Sequence, residues 1–159
     1  MHAISPEKKS LNELYRKLIL DHAKCPKNFG KQPNNSHYAE GINSLCGDKI
    51  RIYALVNKNN IIDQLSFEGT GCAISIASSS IMTTLLLKQD INYAEHFAKN
   101  LIMTLNNKAE DTNEFNNFSQ IEALKGVREF PSRIKCATLG WQSFISAINN
   151  INITTTEKQ

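Results

Sequence analysis

The sequence has few features that mark membrane, secreted or nucleic-acid-binding proteins. No apolar run approaches the roughly 20 residues that a transmembrane helix needs, and residues 1–10 lack the apolar segment of a signal peptide. The formal net charge is only +3, and the 18 basic residues are scattered along the chain rather than gathered in a stripe. We therefore expect no membrane segment, no nucleic-acid partner and a cytoplasmic location.

Cysteine is also scarce, and the common nucleotide-binding signatures are absent. Four cysteines in 159 residues are too few for a disulfide scaffold, so in a reducing compartment they are metal ligands, nucleophiles or buried packing residues. Neither a P-loop nor a Gly-x-Gly-x-x-Gly pattern occurs, and the four histidines are not spaced as a metal-binding pair. The thiols are therefore the best candidates for a functional site.

Three of the four cysteines have local settings that favour the thiolate. Asp48 follows Cys46 by two residues and can share a bound cation, while Cys72 opens a predicted helix, where free N–H groups favour negative charge. With Cys136, these groups supply three thiols and one carboxylate, which suit a tetrahedral site for a borderline-soft metal. The cysteines lie far apart in sequence, so the alternative of small, buried hydrophobic residues remains open.

Two cations shortly before Cys136 are candidates for balancing the charge of such a site. Three thiolates and a carboxylate carry more negative charge than a divalent cation offsets, and Arg133 and Lys135 can supply the remainder. Alternatively, they are solvated surface charges at the beginning of a helix, where cations are mildly unfavourable. Cys25 precedes Pro26 and has no glycine turn or nearby acid, so we interpret it as an incidental, partly exposed thiol.

Hydrophobic periodicity predicts an α+β fold in which a small antiparallel three-stranded sheet packs against about five helices. Alternation of apolar and polar residues predicts strands over 49–56 and 61–67, with a weaker one over 37–42. Helical spacing and capping boxes at Ser10 with Glu13 and Ser119 with Glu122 predict helices over 10–25, 73–88, 93–105, 119–125 and from 131 to 148.

The same patterns divide the chain into one domain with two polar ends. We expect residues 1–9 to form a flexible N-terminal arm, residues 10–149 to form a single domain, and residues 150–159 to form a disordered tail. A polar stretch at about 106–118 reads as an exposed insertion, because both of its flanks need a shared core.

Several ordered motifs together resemble the SufU-type branch of the IscU/NifU-like iron–sulfur cluster assembly family. They cover the chain from about residue 11 to 148 and include CGD at 46–48, FEGTGCAIS at 67–75 and FPSRIKCATL at 130–139. Lys135 stands where scaffold-type members carry histidine, and the insertion between the second and third cysteines is also typical of SufU-type proteins. The chain departs from the family at Asn43, Ser44 and Leu45, where a proline is usual.

The resemblance implies a function as well as a fold. It implies a zinc ion held by Cys46, Asp48, Cys72 and Cys136, and a sulfurtransferase that accepts persulfide sulfur from a SufS-like cysteine desulfurase rather than a stand-alone catalyst. Cys46 would be the acceptor, and Arg133 would orient the site. The alternative is a scaffold that binds iron or a nascent iron–sulfur cluster on the same ligands and passes it to downstream assembly proteins.

Overall fold

The computed structural model describes residues 6–108, 113–115 and 117–156, and these form an α+β fold as expected. Two short 3₁₀ helices, Asn113–Phe115 and Lys125–Glu129, flank the fourth helix. The α-helices are α1 Pro6–Lys24, α2 Ala73–Leu86, α3 Ile91–Leu105, α4 Ser119–Leu124 and α5 Pro131–Ile148. The strands are β1 His37–Asn43, β2 Asp48–Val56, β3 Ile62–Thr70 and β4 Ile153–Thr155.

The sheet has the strand order β3-β2-β1-β4, and the first three strands are antiparallel as predicted. The expectation of three strands is wrong by one, because β4 pairs in parallel with β1 and makes the sheet mixed. Ile153 lies opposite Glu40 and Thr155 opposite Ile42. The expected disordered tail is therefore wrong over residues 153–155, whereas residues 157–159 lie outside the described part.

The core lies between one face of the sheet and helices α2 and α5. Ile50, Ile52 and Phe67 point inward from the strands and are fully buried, as the alternating pattern requires. Trp141 on α5 is fully buried as well, and its indole Nε1 donates a 2.9 Å hydrogen bond to Ser78 Oγ on α2. Because its polar atom is satisfied, this large side chain can fill the core at no cost in lost hydrogen bonds.

The helix boundaries differ from the sequence expectations at two places. Helix α1 begins at Pro6 rather than at Ser10, because proline is well tolerated in the first turn of a helix. The expected arm is therefore helical over residues 6–9, and residues 1–5 lie outside the described part. The second capping box does not form: Phe118 is the N-cap of α4, and no side chain caps that helix.

The polar insertion is anchored to the core by aromatic rings. Phe115 is buried, and its ring centroid lies 5.1 Å from that of Phe97 in an edge-to-face arrangement. Phe118 packs against the same ring at 5.4 Å. The expectation of an exposed insertion is therefore wrong at its C-terminal end, while residues 109–112 and 116 lie outside the described part. Among the described helices, none is both long and apolar enough to cross a membrane.

Candidate metal centre

Three remote segments meet at one end of the sheet. Asp48 is the first residue of β2, and Cys46 lies in the turn that joins β1 to β2. Cys72 is the N-cap of α2, just after β3, and Cys136 lies near the beginning of α5. The antiparallel register places the end of β3 beside the beginning of β2. The turn before β2 and the segment after β3 therefore lie at the same end of the sheet. The topology therefore gathers residues that are distant in sequence.

The structure brings Cys46, Asp48 and Cys136 together as a group that can hold a metal ion. One ligand atom from each lies within 4.8 Å of the others, and the two sulfurs are 3.3 Å apart. Cys72 joins the cluster through Asp48, with its sulfur 4.0 Å from Asp48 Oδ2. A tetrahedral zinc ion with bonds of about 2.3 Å separates its sulfur ligands by roughly 3.8 Å. The donor types therefore suit zinc, and Cys46, Asp48 and Cys136 lie close enough to share an ion, whereas Cys72 is not part of that 4.8 Å group.

Asp48 is the most firmly positioned member of the group. It is buried, and Oδ1 accepts a 2.8 Å hydrogen bond from the backbone N–H of Cys72 while Oδ2 accepts one of 2.7 Å from the Ser75 hydroxyl. Gly71 leaves room for it, since a Cβ at that position would lie 2.5 Å from Asp48 Oδ1. These contacts hold a charged carboxylate in the interior, where an unpaired one would be costly.

Sequence reasoning missed two residues of the site, Ser75 and Asn43. Ser75 is fully buried and lies 3.6 Å from Cys72 Sγ in addition to its bond to Asp48. Asn43, the last residue of β1, donates from Nδ2 to Asp48 Oδ2 at 3.3 Å and to Cys136 Sγ at 3.5 Å. The available signals were weak: Ser75 ends the family-like stretch at 67–75, and Asn43 lies where the chain departs from the family.

Cys72 and Cys136 differ in their affinity for a proton. A hydrogen bond from Cys136 is the largest cause that lowers the pKa of Cys72 to about 6, with a further contribution from Ser75. The pKa of Cys136 is raised, first by that shared hydrogen bond with Cys72 and then by burial. Within this pair, Cys72 therefore loses its proton more readily than Cys136. The thiolate is the form that ligates metals.

Arg133 and Lys135 lie beside the cluster rather than in it. The Arg133 guanidinium is stacked over the Phe130 ring at 4.4 Å, a favourable cation–π geometry. It also borders a cleft of about 410 Å³ with Tyr15. Burial raises the pKa of Tyr15 above its usual value, and the positive charge of Arg133 opposes this only in part. Among the described residues, no hydrogen bond or ion pair joins Arg133 or Lys135 to the cysteines or Asp48, so their roles stay predictions.

Cys25 lies apart from the other cysteines in the structure. It is exposed, and it borders a separate cleft of about 310 Å³ with His22, Lys24 and Lys27. All four cysteines are free thiols. The four cysteines therefore divide into three that lie around Asp48 and one, Cys25, that lies outside this group.

Known proteins resemble this chain over most of its length. The zinc-dependent sulfurtransferase SufU of Bacillus subtilis (strain 168) is 40% identical over 134 residues, which cover 84% of this chain and 88% of that protein. The iron–sulfur cluster assembly scaffold protein IscU of Streptococcus pyogenes serotype M1 is 34% identical over 142 residues, covering 87% of this chain and 84% of that protein.

Solved structures agree with the sequence comparisons. The crystal structure of a putative iron–sulfur cluster assembly scaffold protein for the SUF system, from Fervidobacterium islandicum AW-1, superposes with a TM-score of 0.77 at 31% identity, covering 86% of this chain and 98% of that one. The model of the NifU-like N-terminal domain matches residues 14–137, a span that includes all three cysteines of the cluster together with Asp48. The chain therefore belongs to the family of NifU-like N-terminal domains.

Proposed function

We propose that this protein is a zinc-dependent sulfurtransferase of iron–sulfur cluster assembly that accepts persulfide sulfur from a cysteine desulfurase. The observation that carries the proposal is the convergence of Cys46, Asp48 and Cys136 within 4.8 Å, with Cys72 beside them. Cys46 is the exposed sulfur of this group, while Cys136 is buried. A site with one accessible thiol suits a protein that receives sulfur from a partner.

Cys46, Asp48, Cys72 and Cys136 are the residues that would hold the zinc ion. When bound, zinc keeps its sulfur ligands deprotonated without redox chemistry of its own. Cys72 already favours this state, since its pKa is lowered to about 6 by a hydrogen bond from Cys136, whereas the pKa of Cys136 is raised. Arg133 and Lys135 would balance the excess negative charge from the beginning of α5.

Sulfur transfer at Cys46 is an exchange between a thiolate and a persulfide. The Cys46 thiolate attacks the terminal sulfur of the donor persulfide, a new S–S bond forms on Cys46, and the bond to the donor sulfur breaks. The donor cysteine leaves as a thiolate, so no oxidant or reductant is consumed. Because Cys46 is exposed, a donor persulfide can reach it from solvent.

The partner in this proposal is a cysteine desulfurase of the SufS type. Leu45 precedes the acceptor and is 73% exposed, which places an apolar contact residue beside the reacting thiol. Such a reaction needs reduced thiols, and the cytoplasm maintains them. The names of the SufU and IscU relatives support a place in iron–sulfur assembly, with sulfur passed on to downstream cluster assembly proteins.

A cluster scaffold is the second candidate, because IscU proteins also match this chain at 34% identity and thiolates bind iron as well as zinc. Metal and sulfide analysis of protein purified without oxygen separates the two. A colourless protein with one zinc ion per chain supports the sulfurtransferase. A brown protein that contains iron and acid-labile sulfide supports the scaffold and contradicts our proposal.

A purely structural zinc domain is separated from both by a substitution at the acceptor. We expect Cys46→Ala to abolish stimulation of the desulfurase, with Cys25→Ala as the matched control because Cys25 is an exposed thiol outside the group. Stimulation that survives Cys46→Ala would rule out Cys46 as the sulfur acceptor.

A further inference from the structure

Asn43 is a buried amide that contacts two members of the thiol cluster, Asp48 and Cys136. It is the last residue of β1, lies opposite Asp48 in the antiparallel register, and is only 1% exposed. This position places a neutral polar side chain between two groups that carry negative charge when ionised. Its role is not explained by packing alone, since an apolar residue would fill the same space without needing hydrogen bonds.

The orientation of the Asn43 amide is set by those two neighbours. Nδ2 donates to Asp48 Oδ2 at 3.3 Å and to Cys136 Sγ at 3.5 Å. The opposite orientation would aim Oδ1, an acceptor, at the Asp48 carboxylate, which is itself an acceptor. In the orientation observed, Oδ1 is buried and has no hydrogen-bond partner among the described residues. The two donor contacts therefore outweigh an unsatisfied oxygen.

The amide makes the three sulfurs unequal. Cys136 is 3% exposed and receives an N–H donor from Asn43, whereas Cys46 is exposed and, in the described part, is bonded only by the Cys136 thiol. Cys72 has the Ser75 hydroxyl as its neighbour at 3.6 Å. An N–H bond to a thiolate withdraws electron density from the sulfur, which lowers its nucleophilicity and fixes its direction.

We propose that Asn43 is a positioning residue that decides which thiolate leaves the metal. Its amide holds Cys136 and Asp48 as permanent ligands and leaves Cys46 as the exchangeable one. The assignment of the exchangeable thiolate to sulfur transfer rests on the proposed function, but the inequality of the sulfurs does not. It can be measured on the isolated zinc protein with no desulfurase present.

The first test is the order in which the thiols of the zinc-loaded protein react with iodoacetamide, read by mass spectrometry of the peptides. In the unaltered protein we expect Cys46 to react well before Cys136. In Asn43→Ala, the rate at Cys136 should rise about tenfold relative to that at Cys46. Asn106→Ala is the matched control, because that amide bonds to Ile102 O at the end of α3 and should leave the order unchanged.

The second test uses cobalt in place of zinc and compares two substitutions. Removing an N–H donor raises the energy of the sulfur electrons, so Asn43→Ala should move the sulfur-to-cobalt absorption band to longer wavelength. Asn43→Asp keeps the shape of the side chain but replaces the donor by an acceptor. If the amide acts as a donor, cobalt release to a chelator should be slowest in the unaltered protein, faster in Asn43→Ala and fastest in Asn43→Asp.

Two results would overturn the inference. One is Asn43→Asp releasing cobalt as slowly as the unaltered protein while Asn43→Ala releases it quickly, since that order shows that Asn43 only fills space. The other is an unchanged ratio of the alkylation rates at Cys136 and Cys46 in Asn43→Ala, together with an unchanged absorption band. If the alkylation rates change as expected but Cys46 does not accept sulfur, the proposed function is contradicted while the role of Asn43 is supported.

Discussion

The hydroxyl of Ser75 lies 2.7 Å from Asp48 Oδ2 and donates a hydrogen bond to it inside the protein. Ser75 is in the first turn of α2, three residues after the Cys72 N-cap. From there it fixes a carboxylate of β2 that the Cys72 N–H already holds at 2.8 Å. The beginning of one helix therefore positions both a sulfur ligand and a carboxylate ligand of the proposed zinc site.

This relationship predicts that Ser75→Ala weakens metal binding. Loss of a hydrogen bond to a metal-ligating carboxylate commonly lowers affinity by about 10–100-fold, and we expect that range for zinc, measured by competition with a chromophoric chelator. Ser79→Ala is the matched control, because Ser79 lies on the same helix, is equally buried and has no hydrogen-bond partner for its oxygen within the described part of the chain. Equal zinc affinities in the two variants would contradict the assigned role of Ser75.

Gly71 gives a second prediction through its closeness to Asp48. A Cβ at this position would lie 2.5 Å from Asp48 Oδ1, too near for the carboxylate to stay in place. We expect Gly71→Ala to lower the zinc content of the purified protein while the helical signal in far-ultraviolet circular dichroism is retained. Thr70→Ala, at the neighbouring exposed position, should keep full zinc content. A Gly71→Ala protein that also holds one zinc ion per chain would contradict this placement of Asp48.

Removal of the metal is expected to destabilise the fold, because the proposed ligands join three remote segments. A ligand present at about 1,000 times its dissociation constant stabilises a folded protein by about 4 kcal/mol. For a protein of this size, that corresponds to a fall in melting temperature of roughly 10 °C on chelation. Calorimetry with and without chelator measures it, and Cys25→Ser should show the same fall as the unaltered protein. An unchanged melting temperature would show that metal and fold are not coupled.

His22 predicts a pH dependence of stability that is separate from the metal. Burial, assisted by the charge of Lys27, lowers the pKa of His22 below 6.5, and its Nδ1 lies 2.7 Å from Ser80 Oγ. The unfolded chain then binds a proton more readily than the folded one just below that pH. His22 therefore contributes to stability above pH 6.5, and this contribution is lost as the pH falls through 6.5 toward the lowered pKa of the folded state.

Urea unfolding at about pH 7.5 and about pH 5.5 measures this effect. His22→Gln should show a smaller loss of unfolding free energy between the two conditions than the unaltered protein. His96→Gln, at an exposed position on α3, should show the same loss as the unaltered protein. Equal losses in both variants would mean that His22 is not the group that titrates.

The main strands were predictable because their pattern is local. Ile50, Ile52 and Ala54 alternate with less buried neighbours, so one face of β2 must be covered. Strand β4 was not predictable, because Ile153 is 67% exposed and no alternation marks its few residues. It exists through pairing with Glu40, which lies more than a hundred residues earlier. Such an edge strand depends on tertiary contact rather than on its own composition.

The candidate ligands could be named from the sequence, but their surroundings could not. Local context marked Cys46, Asp48, Cys72 and Cys136 as candidate ligands, and the resemblance implied that together they hold one zinc ion. The contact of Asn43 with Cys136 spans 93 residues, and no spacing rule connects an amide at the end of one strand with a thiol on a distant helix. The capping box predicted at Ser119 does not form, although its sequence pattern is local. The packing of Phe118 against Phe97 sets the beginning of α4 instead.

The most direct test of the proposed sulfur transfer is to locate the transferred sulfur. The zinc-loaded protein is incubated with a cysteine desulfurase and cysteine, its thiols are blocked, and its peptides are analysed by mass spectrometry. We predict one additional sulfur atom on the peptide that contains Cys46, and none on those that contain Cys25, Cys72 or Cys136. Sulfur found first on one of those other cysteines, or on none of the four, would contradict the account.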